Sequence, residues 1–99
     1  MLKIYGVPIS VHTRKVIVAA LHKGLSFEVI PVVPVIPDKL PPNWRVLSPI
    51  GKIPVMQHDD FTLADSTAIC GYLDRAYPDP PIYPTGDARS YARALWWEQ

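Results

Sequence analysis

The tightest constraint on this chain is a proline at the mouth of an apolar run, Ser48-Pro49-Ile50-Gly51-Lys52-Ile53-Pro54-Val55-Met56, with Asp65-Ser66 following Pro54 at the start of a helical pattern. Proline cannot donate to a sheet ladder, so Pro54 belongs at a strand's first position or in a tight turn, and a cis Ile53–Pro54 peptide bond is expected. The backbone of Ile53 is then left unpaired. An extended peptide can meet its N–H and C=O like an added strand. Asp65-Ser66 offers a hydroxyl and free N–H groups at a helix N-terminus, which suits an anion. One element reads amides and the other a carboxylate, so together they describe a site for a small peptide with a free α-carboxylate.

Ninety-nine residues, 48 % of them hydrophobic, suit one globular domain. A net charge of +1 without a basic run argues against nucleic acid. No apolar run approaches ~18 residues, and Met1 leads straight into Leu2-Lys3-Ile4-Tyr5 without a signal-like segment, so a cytoplasmic protein without membrane contact is expected. The single cysteine, Cys70, permits no internal disulfide and reads as a buried helix residue. His12, His22 and His58 lack the spacing of metal ligands, so no metal is expected.

Leu2 to Tyr5 reads as a strand closed by Gly6-Val7-Pro8, after which Ser10 caps a helix running to about Lys23 and stopped by Gly24. Phe27 to Val32 is rich in β-branched residues and makes a parallel strand by a crossover. Prolines at 31, 34, 37, 41 and 42 predict irregular, extended backbone from about Pro34 to Pro42, with a short helical turn near Trp44. Val55 to His58 and Phe61 to Leu63 read as a hairpin around Asp59-Asp60. From Ser66, the residues Ile69, Tyr72, Leu73, Ala76 and Tyr77 form an apolar stripe ended by Pro78. Residues 79–86 read as a linker, and Asp87 caps a last helix with a stripe of Ala88, Tyr91, Ala92, Leu95 and Trp96. A lone helix of about 12 residues is marginal in water, so residues 87–99 are expected to begin a helical second domain of a longer protein, with folding back onto this domain as the alternative. The tryptophans read as core or domain-interface residues.

This β-α-β-β-β-α order with a proline before the third strand resembles the thioredoxin fold, an α/β class with a mixed four-stranded sheet. The motifs of residues 1 to 78 are similar to the N-terminal domain of glutathione transferases of the serine type, closest to the phi-like pattern. They are Tyr5-Gly6-Val7-Pro8-Ile9-Ser10 with Lys15-Val16, then Lys23-Gly24-Leu25-Ser26-Phe27-Glu28, then Ser48-Pro49-Ile50-Gly51-Lys52-Ile53-Pro54. The resemblance implies glutathione as co-substrate. It places Ser10 at the glutathione sulfur, Ile53 on the cysteinyl backbone, Pro54 as the family's cis-proline, and Asp65 and Ser66 at the γ-glutamyl end. Asp65 is one methylene shorter than the usual Glu or Gln. Lys39 sits where phi-like sequences often have a His on the glycyl carboxylate, and Leu40 where they often have Lys. A homodimer of the full-length protein is also implied.

The chemistry follows from the thiol. Its pKa near ~8.5 leaves little thiolate at neutral pH, and the thiolate is the nucleophile. The Ser10 O–H and the start of its helix can favour the anion, with Ser10 as donor rather than nucleophile. Without the downstream motif, Ser10 would read as a plain helix cap. His12 reads as an exposed first-turn residue, with lining of the electrophile side as the alternative. The expected activity is conjugation of glutathione to a small hydrophobic electrophile. One alternative is a glutathione-dependent isomerase, as in zeta-like members, although Ile9-Ser10-Val11 lacks their Ser-Ser-Cys run; another is a non-catalytic interaction module. Residues 6–13 contain no cysteine for thiol-transferase work.

Overall fold

The computed structural model describes residues 1–84 and 86–98, with the side chain of Lys39 outside that description. Four short strands make the frame: β1 (Leu2–Tyr5), β2 (Phe27–Ile30), β3 (Val55–His58) and β4 (Phe61–Ala64). Among the described residues, four α-helices accompany them: α1 (Val11–His22), α2 (Trp44–Leu47), α3 (Ser66–Ala76) and α4 (Ala88–Glu98). The spatial order is β2-β1-β3-β4. β1 runs parallel to β2, with Tyr5 opposite Ile30, and antiparallel to β3, with Tyr5 opposite Val55. β3 and β4 form an antiparallel hairpin in which Val55 faces Ala64. This is the expected mixed thioredoxin-like sheet.

Successive strand residues point to opposite faces, and both faces are covered. Leu2, Ile4 and Met56 pack beneath Val16, Ala19 and Ala20 of α1 and Ile69, Cys70 and Leu73 of α3. Tyr5 and Val55 point the other way, onto Val32, Trp44 and Leu47. Chain closure across the first face comes from Lys23. Its ammonium donates to Asp74 Oδ1 at 3.0 Å, to the Tyr77 carbonyl and to the Pro80 carbonyl at 2.8 Å, joining the end of α1 to α3 and to the segment after it. Asp74 in turn accepts the Ile82 N–H at 2.8 Å and the Tyr83 N–H at 3.3 Å. Pro80, Ile82 and Tyr83 of the segment read as a linker are therefore held against the domain, with Tyr83 in the core. The Lys23 part of that grip joins residues 51 or more apart, which local composition does not reveal.

Other expectations need correction. The proline-rich segment is not extended throughout, because Pro37–Lys39 forms a 3-10 turn. Proline tolerates that first position, since its missing N–H would have no helical partner there. On α3 the buried residues are Ser66, Ile69, Cys70 and Leu73, while Tyr72 and Tyr77 are half-buried and Ala76 is exposed. On α4 only Leu95 of the expected stripe is half-buried, together with Ala94 and Glu98 from outside it, whereas Ala88, Tyr91, Ala92 and Trp96 are exposed. Of the tryptophans, Trp44 is core, while Trp96 and Trp97 are 69 % and 74 % exposed. No helix among the described residues is long and apolar enough to cross a membrane.

Candidate functional site

β3 is an interior strand, yet the ladders on either side of it end at Tyr5 and Ala64. The chain just before Val55 therefore projects past both neighbours into an open cleft of about 690 Å³. Ile53 and Pro54 line it, joined by the expected cis peptide bond. Among the described residues, no protein group hydrogen-bonds the Ile53 backbone. The amide and carbonyl that an extended peptide would need remain available.

The start of α3 forms the opposite wall, where Asp65, Ser66 and Thr67 line the cleft. Asp65 is the N-cap, and its Oδ2 accepts the Ala68 N–H at 3.0 Å. Its backbone has φ 80° and ψ 118°, a region that a non-glycine residue occupies only when its surroundings impose it, as they often do at functional sites. Ser66 is the first helical residue rather than the cap, and it is buried. Among the described residues, the Ser66 and Thr67 N–H groups donate to no protein acceptor. Two free donors and the positive end of the helix thus face the cleft, while Asp65 Oδ1 is left to accept from a cation.

The start of α1 supplies the third side. Ser10 caps this helix, its Oγ accepting the Thr13 N–H at 3.3 Å. That contact uses a lone pair and leaves the O–H proton free to donate, so capping and donation to a sulfur are compatible. Ser10 itself is half-exposed and is not among the cleft-lining residues, whereas His12 and Lys15 of the same helix are. The structure thus brings Ile53, Pro54, Asp65 and Ser66 into one cleft and sets Ser10 beside it. Lys39, expected at the glycyl carboxylate, has its side chain outside the described residues. Among the described residues, no cluster of metal-ligating side chains occurs.

Beneath the cleft lies a carboxylate that sequence reasoning missed. Glu98 Oε1 is 3.2 Å from Lys15 Nζ and accepts the Tyr83 hydroxyl at 3.1 Å, and Oε2 accepts the Thr67 hydroxyl at 3.1 Å. Burial, then the nearby Cys70 and Glu98, keep the Tyr83 hydroxyl protonated well above its ordinary range. Thr67 could have been suspected from its place beside Ser66, and Lys15 from standing one helical turn after His12. Nothing local marks Glu98.

A family model described as the N-terminal domain of glutathione S-transferase matches residues 4–81. The chain belongs to the glutathione S-transferase family. It is 36 % identical over 83 residues to glutathione S-transferase Z1 of Arabidopsis thaliana, a match covering 84 % of this chain and 38 % of that protein. Among solved structures, glutathione transferase F7 of Populus trichocarpa superposes with a TM-score of 0.73 at 34 % identity, over 80 % of this chain and 37 % of that one. The holo structure of maleyl pyruvate isomerase, a bacterial glutathione S-transferase in the zeta class, gives a TM-score of 0.81 at 26 % identity, over 92 % of this chain and 42 % of that one. The chain therefore spans less than half the length of these relatives.

Proposed function

We propose that this chain is the glutathione-binding part of a glutathione transferase that conjugates the tripeptide to a small hydrophobic electrophile. The observation that carries the reading is the open Ile53 backbone facing the two free N–H groups of Ser66 and Thr67 across one cleft. Ile53 pairs with the cysteinyl unit, the Ser66 and Thr67 amides take the γ-glutamyl carboxylate, and Asp65 Oδ1 takes its ammonium. Lys39 is assigned to the glycyl carboxylate. Ser10 donates its free O–H to the sulfur, and the positive end of α1 adds to the preference for thiolate. Each pKa unit of that preference is about 1.4 kcal/mol. In this reading residues 79–86 join the domain to a helical second domain that begins with α4, supplies most of the electrophile pocket and pairs subunits into a homodimer.

A second reading, glutathione-dependent isomerisation, is supported by the zeta-class maleyl pyruvate isomerase that resembles this chain. The absence of a Ser-Ser-Cys run at Ile9-Ser10-Val11 places it behind conjugation. Calorimetric titration with glutathione, followed by turnover of an aryl halide by the full-length protein, tests the proposal. Binding with aryl-halide turnover is expected. No heat on adding glutathione would sink it, and binding with isomerisation of a cis-dienoic acid but no conjugation would favour the second reading.

A further inference from the structure

Three donors from three parts of the chain converge on one carboxylate at the end of α4. Lys15 comes from α1, Tyr83 from the segment after α3, and Thr67 from the second position of α3. The Glu98 side chain is only 12 % exposed and that of Lys15 only 19 %. Two of the three donors, Lys15 and Thr67, also line the cleft. A shielded carboxylate that meets three donors ties together the three parts of the chain that carry them, and a hydrogen bond to a charged group is stronger than one between neutral groups. Through Thr67 it restrains the residue whose N–H is one of the two free donors at the helix start. Through Lys15 it holds an ammonium of the cleft wall at 3.2 Å.

We infer that Glu98 is a positioning residue for the glutathione site, acting through Thr67 and Lys15 on the γ-glutamyl end. This rests on the glutathione reading above. Without Glu98, the Thr67 hydroxyl loses its acceptor and the start of α3 is free to turn. The Lys15 ammonium, on a flexible four-carbon stem, is released toward the cleft. The effect falls on binding of the peptide part of glutathione and not on the sulfur. Helix α4 thereby becomes a part of the binding site without touching the ligand.

The test compares the full-length protein with its Glu98→Ala, Thr67→Val and doubly substituted forms, using calorimetric binding of glutathione and of S-methylglutathione, which has no ionisable thiol. Glu98→Ala is expected to weaken both ligands by the same factor, about tenfold, with kcat at saturating glutathione changed little. Thr67→Val, which leaves Lys15 and Tyr83 on Glu98, is expected to weaken both about threefold, and the double variant by less than the product of the two. Native affinity in a folded Glu98→Ala protein, or losses that multiply independently, would overturn the inference. Should Glu98→Ala fail to fold, native affinity in Thr67→Val alone would overturn it. A native protein that binds neither ligand would instead overturn the glutathione reading itself.

Discussion

Lys23 Nζ lies 3.0 Å from Asp74 Oδ1 with the lysine side chain wholly shut off from solvent, and this contact ties the end of the first helix to the third. Burial alone would raise the Asp74 carboxyl. The Ile82 N–H, the Lys23 ammonium and the Tyr83 N–H outweigh that and hold it below its ordinary 3.8. Because the folded value is depressed, the stabilisation is present above the unfolded value and lost as pH falls through the folded one. Urea unfolding should therefore show stability dropping steeply below about pH 4, the ordinary carboxylate range. Asp74→Asn, which strands a buried ammonium, should cost about 3–5 kcal/mol at neutral pH and flatten that acid limb. A neutral-pH loss under 1 kcal/mol would show that the Tyr77 and Pro80 carbonyls suffice for Lys23.

Ser10→Ala in the full-length protein separates chemistry from binding. Loss of a hydrogen bond to a thiolate should lower turnover by about ten- to a hundredfold, while contacts at Ile53 and Ser66 keep the dissociation constant of glutathione nearly unchanged. Thiolate absorbance of bound glutathione, titrated against pH, should move to higher pH. An unmoved titration and an unmoved rate would reduce Ser10 to the cap of α1, a role worth ~1 kcal/mol of stability.

Thr13 Oγ1 is buried with no hydrogen-bond partner among the described residues. An isosteric methyl removes a desolvated hydroxyl, so Thr13→Val should raise stability by about 1 kcal/mol, read as an upward shift in Tm. The same side chain explains Gly6. A Cβ there would sit 2.4 Å from Thr13 Oγ1 and 2.7 Å from its methyl. Gly6→Ala should cost about 1–3 kcal/mol through overpacking. Combining it with Thr13→Ala should cost less than the sum of the two, since the smaller side chain vacates the contested space.

Cys70 should behave as an inert thiol. Burial first, then the neighbouring Glu98 carboxylate, push it from 9.0 up to about 11. At a given pH the thiolate is then about a hundredfold scarcer than for an ordinary cysteine, and its sulfur is also shielded. Ellman's reagent at pH 8 should therefore react at the rate of global unfolding and become fast only in denaturant. Immediate reaction in the native state would contradict the packing of α3 and α4 around this residue.

Proline positions, helix caps and the 3.6-residue apolar period are local signals, and they determined much of this protein. Pro54 at the mouth of β3 and Ser10 before α1 are each legible from a few neighbouring residues, because each sets its own backbone or satisfies donors close by. So is the start of α3 at Asp65-Ser66, although Asp65 proved to be the cap and adopts a positive φ that sequence does not announce. Tertiary structure alone decided what meets across long loops. It placed Glu98 under Lys15 and Thr67, Lys23 among the carbonyls after α3, and the half-buried side of α4 on Ala94, Leu95 and Glu98, so that of the apolar stripe only Leu95 is half-buried. The reason is physical: a capped helix start satisfies its own groups, whereas a buried charge is stable only where the whole fold delivers its partners, and no window of neighbouring residues contains them.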